Sequence, residues 1–124
     1  MTDWSGWSLK EKIGQLFVFG FYGYEPSEAI IGLIQEYGIG GTIYFSRNVK
    51  DARQVHRLSA ELKELAKGAG KPPMFIAIDQ EGGMVARLVE GVTLMPGNMA
   101  LGAAGTAEAA RETARICGEE LRLL

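Results

Sequence analysis

Short apolar runs alternate with longer segments of helical periodicity along this chain, and that alternation limits the fold more than any other feature. The apolar runs span residues 13–21, 41–45 and 74–78. Continuous runs of this length are typical of strands that are buried on both faces of a parallel sheet. Parallel strands need crossover connections between them, which are usually helices. The order therefore predicts an α/β fold with right-handed strand–helix–strand units.

Residues typical of helix ends mark the boundaries of the first two predicted helices. Ser8, with Glu11 three residues later, forms a capping-box pattern that predicts the start of a helix. A second helix is predicted over 27–37, where isoleucine and leucine recur at helical spacing. Gly38 follows it at the position beyond a helix end where glycine is strongly favoured. These signals depend only on residues a few positions apart.

Two further helices are predicted in the second half of the chain. The helix over 51–67 is predicted from apolar residues that fall on one face. They are Val55, Leu58, Leu62, Leu65 and Ala66. A glycine-rich stretch to about Gly105 follows the third strand, and no regular element is predicted between residue 84 and that glycine. The last helix is predicted over 106–124, with Thr106 as its cap.

The overall composition is that of a single globular domain spanning 1–124. Hydrophobic residues make up 47% and charged residues 23% of the 124 residues, a balance that argues against disorder. A net charge of −2 argues against a nucleic acid partner. The first twelve residues lack the pattern of a secretory signal, and no apolar run approaches the ~20 residues of a membrane span. A cytoplasmic location without a membrane partner is predicted.

The chain has one cysteine and one histidine, and neither is predicted to bind a metal. Cys117 can form no intrachain disulfide and no cysteine-based metal cluster. Its place in an alanine-rich helical pattern predicts a buried structural thiol. His56 lies in the middle of a predicted helix, far along the chain from the polar loop at 79–83. We therefore predict that His56 is a solvated or packed helix residue.

A polar cluster follows each predicted strand, at the place where parallel α/β folds bind their ligands. The clusters are residues 22–23, 46–48 and 79–83. The third, D-Q-E-G-G, is the most informative because an aspartate ends an apolar strand and two glycines follow. Such a loop lets both a carboxylate and the backbone approach a ligand closely.

Asp79 and Glu81 are two residues apart, so they would point to the same face of an extended strand. One interpretation is a carboxylate pair for glycoside chemistry, which requires roughly 5–9.5 Å between the carboxyl groups. The favoured interpretation is that one carboxylate orients a substrate while the other holds the loop through backbone amides. The glycines at 38–41 precede a strand and do not open a helix, so they match no phosphate or dinucleotide motif.

Three segments resemble glycoside hydrolases of family three, especially the bacterial β-N-acetylhexosaminidases. Residues 78–88 are similar to that family's I-D-[QH]-E-G-G-x-V-x-R-[LF] signature. Residues 38–48 are similar to its G-x-G-G-x-I-x-F-x-R-N strand, and residues 95–102 to its P-x-x-M-A-L-G stretch. Met84 departs from the pattern because arginine is frequent at that position. The segments occur in the family's order, and together with matches at 16–17 and 118–122 the resemblance extends over essentially the whole chain.

The resemblance implies a retaining hydrolase of terminal β-linked N-acetylglucosamine or related β-glycosides. Such an enzyme needs no cofactor, and its partner is a carbohydrate. The family's fold is a TIM-type (β/α)8 barrel, of which this chain would form about three β/α units at the N-terminal end. The resemblance also implies that Asp79 binds the sugar and that Arg87, eight residues later, contacts it.

Two catalytic segments of the family have no counterpart in this chain. They are the K-H-F-P-G-H-G segment, whose histidine is the acid/base in the hexosaminidase branch, and the later loop that carries the aspartate nucleophile. The chain is therefore expected to be a truncated part of a peptidoglycan-recycling type of enzyme. On this interpretation it contributes no catalytic residue and is inactive alone.

Two other hypotheses stay open at this point. The chain could be a non-catalytic sugar-binding half-barrel that associates with itself through an unpaired sheet edge. It could also be an unrelated small α/β domain in which Asp79 and Glu81 serve a hydrolase or a metal site. Light scattering separates the first of these from a monomeric fragment, and divalent-ion binding tests the second.

Overall fold

Three parallel strands alternate with helices in a computed structural model that describes residues 4–124. The strands are β1 (Val18–Phe19), β2 (Gly41–Tyr44) and β3 (Phe75–Ile78). A hairpin of β4 (Gln80–Gly82) and β5 (Val85–Ala86) follows them. The helices are α1 (Leu9–Gly14), α2 (Glu28–Gly32) continued by a π-helical turn (Leu33–Tyr37), α3 (Ala52–Gly68), α4 (Asn98–Ala104) and α5 (Ala107–Leu121). Residues 1–3, where the segment assessed for a secretory signal begins, lie outside the described residues.

The sheet has the strand order β1-β2-β3, and both pairs of neighbours are parallel. Gly41 of β2 is in register with Val18 on one side and Phe75 on the other. The predicted α/β fold with parallel strands is thereby confirmed. Because the strands are parallel, their carboxyl ends meet at one edge of the sheet. The three polar clusters are therefore carried by neighbouring loops.

The first predicted strand, 13–21, is wrong in its extent. Helix α1 continues to Gly14, and only Val18 and Phe19 pair with β2. Val18 is 51% exposed, so this edge strand is not buried on both faces. The capping box of Ser8 starts a helix that the following apolar residues continue, and an apolar run this short is compatible with either structure. Register with β2 decided where the strand begins.

The core lies between the sheet and helix α3, on the face predicted for that helix. Val55, Leu58 and Leu62 are each at most 3% exposed and pack with Tyr44 of the central strand. Burial raises the pKa of the Tyr44 hydroxyl to about 12. A hydrogen bond with the Ser59 hydroxyl acts in the opposite direction and has the smaller effect. The two outer strands differ from β2 because Val18 and Phe75 remain exposed.

Regular structure also occurs where none was predicted, in the glycine-rich segment before Gly105. The β4–β5 hairpin begins just before this segment and extends into it, and α4 occupies its end. Gly105 ends α4 with a φ of 70°, in the left-handed region that glycine adopts without steric cost. Glycines made this segment resemble a loop in the sequence, whereas some of them are the turn and cap residues of short elements.

Cys117 lies in α5, and His56 of α3 contacts the backbone just after α5. The prediction that the Cys117 thiol is buried is wrong in degree, because this residue is only partly buried. Its sulfur lies 3.7 Å from the Gln80 carbonyl oxygen. Burial, followed by the charge of Glu120, raises the pKa of this thiol. His56 is exposed, as one of the two predicted alternatives, and its Nδ1 lies 3.0 Å from the Leu123 carbonyl oxygen. Among residues 4–124, no helix combines the length and apolar character needed to cross a membrane.

An ion pair between Glu11 and Lys71 joins α1 to the loop before β3, at 3.0 Å. The hydrogen bond from Lys71, followed by those from Ser8, lowers the pKa of Glu11 from 4.5 to about 2. A carboxyl group whose folded pKa is depressed stabilises the fold above its unfolded pKa, and this contribution is lost as pH falls through the folded value. We expect Lys71→Met to reduce the acid sensitivity of the free energy of unfolding between pH 4.5 and about 2.

Urea unfolding at a series of pH values measures this effect. Lys67→Met is the matched control, because Lys67 pairs with Glu64 on the surface, where both side chains are more than 70% exposed. Exposed pairs of this kind contribute little to stability. An acid-stability profile that is unchanged by Lys71→Met would contradict a role for the Glu11–Lys71 pair.

Candidate functional site

The Asp79–Arg87 pair is brought together at the carboxyl end of β3 by the β4–β5 hairpin. Asp79 directly follows the last residue of β3, and Arg87 directly follows β5. The hairpin reverses the chain, so that an Arg87 Nη2 atom lies 3.5 Å from an Asp79 carboxylate oxygen. The Arg87 side chain is 26% exposed and that of Asp79 is 40% exposed. Both predicted binding residues therefore face one another at a surface open to a ligand.

Gln80 holds this hairpin together, a role that was not predicted from the sequence. Its side-chain oxygen accepts hydrogen bonds from the backbone N–H groups of Arg87 and Leu88, at 3.0 and 3.1 Å. Its amide nitrogen donates to the Leu88 carbonyl at 2.7 Å. Leu88 is fully buried, so the clamp connects the hairpin to the core. A carboxamide suits the position because it combines donors with an acceptor.

Two glycines at the turn of the hairpin have positive φ angles, 80° at Gly82, the last residue of β4, and 58° at Gly83. A β-carbon at Gly82 would lie 2.5 Å from the Pro96 carbonyl oxygen and 2.7 Å from that of Met95. The Gly83 N–H donates to the same Met95 carbonyl at 3.0 Å. Because a side chain at Gly82 fits neither in space nor in φ, the glycines of the D-Q-E-G-G pattern are required by the fold of the hairpin.

The carboxylates of Asp79 and Glu81 have different neighbours. Asp79 faces Arg87, whereas the Glu81 carboxylate accepts a hydrogen bond at 3.3 Å from the Asn98 side chain. This separation of partners favours distinct roles for the two residues over a paired acid and base. Residues 4–124 contain no group of three or more histidine, cysteine or acidic side chains arranged to hold a metal ion.

Arg87 has donor groups that the fold does not use. Its Nε atom is buried and has no hydrogen-bond partner. At 3.5 Å, the contact with Asp79 is longer than the roughly 2.7–2.9 Å of a tight charge-assisted hydrogen bond. A buried donor without a partner costs stability unless a ligand or water completes it. Because the Arg87 and Asp79 side chains are 26% and 40% exposed, their solvent-facing atoms can donate and accept hydrogen bonds with a polar ligand such as a sugar.

The loops after β1 and β2 are joined by buried polar side chains. Asn48 is fully buried, and its amide nitrogen donates to the carbonyls of Phe21 and Gly23, at 3.1 and 2.9 Å. Its side-chain oxygen accepts from the Phe45 N–H at 3.0 Å. Gln54 extends the network by donating to the Tyr24 carbonyl at 2.8 Å. The predicted clusters at 22–23 and 46–48 are thus one connected structure at the sheet edge.

The family model for the glycosyl hydrolase family 3 N-terminal domain matches residues 8–124. The chain belongs to this family. The family's N-terminal domain is a TIM-type barrel, so the three parallel strands are part of a barrel sheet. The predicted family and fold class are confirmed, and the sequence segments that carried the resemblance lie within the matched range.

Family 3 proteins of known structure and curated sequence resemble the chain over most of its length. A β-N-acetylglucosaminidase from Paenibacillus sp. strain FPU-7 superimposes with a TM-score of 0.92 and 54% identity, covering 95% of this chain and 22% of its own. NagZ from Neisseria gonorrhoeae, solved with N-trifluoroacetyl-D-glucosamine, gives a TM-score of 0.73 and 31% identity, covering 85% of this chain and 32% of its own.

A curated relative, beta-hexosaminidase A from Pseudoalteromonas piscicida, is 41% identical over 97 residues. That match covers 74% of this chain and 16% of the relative. A beta-hexosaminidase from Neisseria gonorrhoeae is matched over 22% of its length. The chain therefore spans about a sixth to a quarter of the length of the curated relatives it matches.

Proposed function

We propose that this chain supplies part of the sugar-binding site of a retaining glycoside hydrolase that removes terminal β-linked N-acetylglucosamine or a related β-linked sugar. The observation that carries the proposal is the open Asp79–Arg87 pair at the carboxyl end of β3, in a chain that belongs to family 3. Relatives named as β-N-acetylglucosaminidase and beta-hexosaminidase support the substrate class. A carbohydrate is the proposed partner, and no cofactor takes part.

Asp79 and Arg87 are proposed to bind hydroxyl groups of one sugar ring, Asp79 as the hydrogen-bond acceptor and Arg87 as the donor. An ionised carboxylate accepts hydrogen bonds through both of its oxygens, so Asp79 can hold two neighbouring hydroxyl groups. Arg87 donates through its planar guanidinium, which has a fixed fork of N–H groups. Gln80 keeps the two side chains in this geometry through three hydrogen bonds to the backbone at Arg87 and Leu88.

The chain alone is proposed to hold the sugar without cleaving it. Retaining hydrolysis needs a carboxylate nucleophile and an acid/base group that flank the scissile bond. The acid/base is usually a second carboxylic side chain, and another group can replace it. Asp79 is engaged with Arg87, Glu81 with Asn98, and His56 with the Leu123 carbonyl. A chromogenic N-acetylglucosaminide tests this statement, and hydrolysis that is abolished by Asp79→Ala would contradict it.

Asp79→Asn is expected to weaken the binding of N-acetylglucosamine by at least tenfold, because hydrogen bonds to a charged acceptor are about twice as strong as neutral ones. An NMR titration of backbone amides measures the affinity and reports the folded state at the same time. Glu81→Gln is the matched control, since its carboxylate contacts Asn98 and is two residues away. Equal losses in the two variants would overturn the assignment of Asp79.

A second candidate function is a non-catalytic sugar-binding half-barrel that associates with itself. The observation that favours it is the exposure of apolar residues on both outer strands: Val18 is 51% exposed and Phe75 is 79% exposed. β1 and β3 are also the outermost strands of the described sheet, and unpaired strand edges promote pairing between chains. Sedimentation velocity distinguishes the candidates, because association makes the sedimentation coefficient rise with concentration, whereas a monomeric sugar-binding part keeps it constant.

A further inference from the structure

Tyr22 is an exposed aromatic residue on a loop that the fold holds rigidly. Its side chain lies at the carboxyl end of β1, and the residue is 78% exposed. The carbonyl groups on either side of it, at Phe21 and Gly23, both accept hydrogen bonds from the buried Asn48 amide. Phe21 also accepts one at 2.9 Å from Arg47. The backbone of the loop is therefore fixed, while the ring of Tyr22 is left in solvent.

The Tyr22 ring is supported from one side only. The Arg47 guanidinium carbon lies 4.4 Å from the centroid of the Tyr22 ring and 4.4 Å from that of Phe45. Arg47 thus forms the middle layer of a three-layer stack whose outermost member is Tyr22. A β-carbon at Gly20 would lie 2.9 Å from the Phe45 ring and 3.2 Å from Arg47, so the glycine leaves room for the stack. The opposite face of Tyr22 remains open.

This stack and the Asp79–Arg87 pair lie along one edge of the sheet. Tyr22 follows β1 and Asp79 follows β3, and β2 is the single strand between them. Two interstrand spacings amount to roughly 10 Å. That separation allows one oligosaccharide to contact both groups through neighbouring rings.

We propose that Tyr22, backed by Arg47, is a stacking platform for the pyranose ring next to the one held by Asp79 and Arg87. The proposal rests on the proposed sugar-binding function. The C–H groups on a pyranose face carry partial positive charge and pack against the negative face of an aromatic ring. Arg47 and the hydrogen-bonded loop already hold the Tyr22 ring in place. The Tyr22 side chain therefore loses little conformational freedom when a sugar stacks on it.

The test compares N-acetylglucosamine with its β-1,4-linked disaccharide by NMR titration of the chain. The disaccharide is expected to bind about three- to tenfold more tightly, which is the range for one aromatic stacking contact. Tyr22→Ala is expected to bring the ratio of the two affinities close to one, whereas Tyr22→Phe, which keeps the ring, is expected to preserve it. Tyr37→Ala is the matched control, because the Tyr37 ring also lies on a cation, Lys10 at 4.1 Å.

The outcomes separate this inference from the proposed function. If Asp79→Asn weakens both saccharides equally and Tyr22→Ala leaves their ratio unchanged, the platform is overturned and the sugar-binding function stands. If Asp79→Asn has no effect on N-acetylglucosamine, the proposed function fails whatever the ratio does. If neither saccharide binds, the platform is overturned. It is also overturned if Tyr37→Ala abolishes the preference for the disaccharide as fully as Tyr22→Ala does.

Discussion

Replacing Asn48 by alanine is expected to lower the free energy of unfolding by about 3 kcal/mol, because the substitution removes three hydrogen bonds from a fully buried position. The carbonyl of Gly23 and the N–H of Phe45 would lose their side-chain partner. Phe21 would keep its bond from Arg47. Urea denaturation followed by circular dichroism measures the change.

The control for this prediction is Asn98→Ala. Asn98 is exposed and makes a single side-chain contact of 3.3 Å with Glu81, so its replacement should change stability by less than about 0.5 kcal/mol. The two substitutions remove the same amide group from different environments. If Asn48→Ala cost no more than Asn98→Ala, the buried network would not stabilise the sheet edge.

Gly82→Ala is expected to destabilise the chain by roughly 2–5 kcal/mol and to disrupt the geometry of the proposed sugar site. The added β-carbon would meet two backbone carbonyl oxygens, at 2.5 and 2.7 Å, which cannot rotate away as a side chain can. The φ of 80° adds strain for any residue with a β-carbon. Displacing the turn would move Arg87 relative to Asp79, so N-acetylglucosamine binding should fall together with stability.

Gly102→Ala is the same chemical change as Gly82→Ala, but it is expected to have the opposite effect on stability. Gly102 lies within α4, where a β-carbon would have no neighbour within 4 Å. Alanine in a helix interior is favoured over glycine by about 0.5–1 kcal/mol, so this variant should be slightly more stable. The Gly82→Ala and Gly102→Ala variants are compared by urea unfolding and by titration with N-acetylglucosamine. Similar behaviour of the two variants would contradict a special role of Gly82 in the turn.

Features that depend on neighbouring residues could be predicted well from the sequence. The capping box of Ser8 and Glu11 is present, and Gly38 follows the second helix with a φ of 60°. The apolar face of α3 is the buried face, as its periodicity predicted. These features share a cause, since each depends on hydrogen bonds or spacing within about one turn of helix.

Features that depend on distant parts of the chain could not be predicted in the same way. The strand within 13–21 has only two residues because its start is set by pairing with β2. The role of Gln80 was missed because its partners lie seven and eight residues later, beyond the hairpin turn. Its sequence signal was a pair of glycines between two short segments, which is too brief a pattern to identify a hairpin.

By itself, the sequence determined the α/β class, the family and the identity of the candidate binding residues, Asp79 and Arg87. These follow from residue types in order along the chain, which need no coordinates. The tertiary structure decided that Arg87 faces Asp79, that Asn48 joins two loops, and that Tyr22 stands exposed on Arg47. The physical reason is that hydrogen bonds, steric limits at glycine and ring stacking act between atoms a few ångströms apart. Only the folded sheet brings those atoms together.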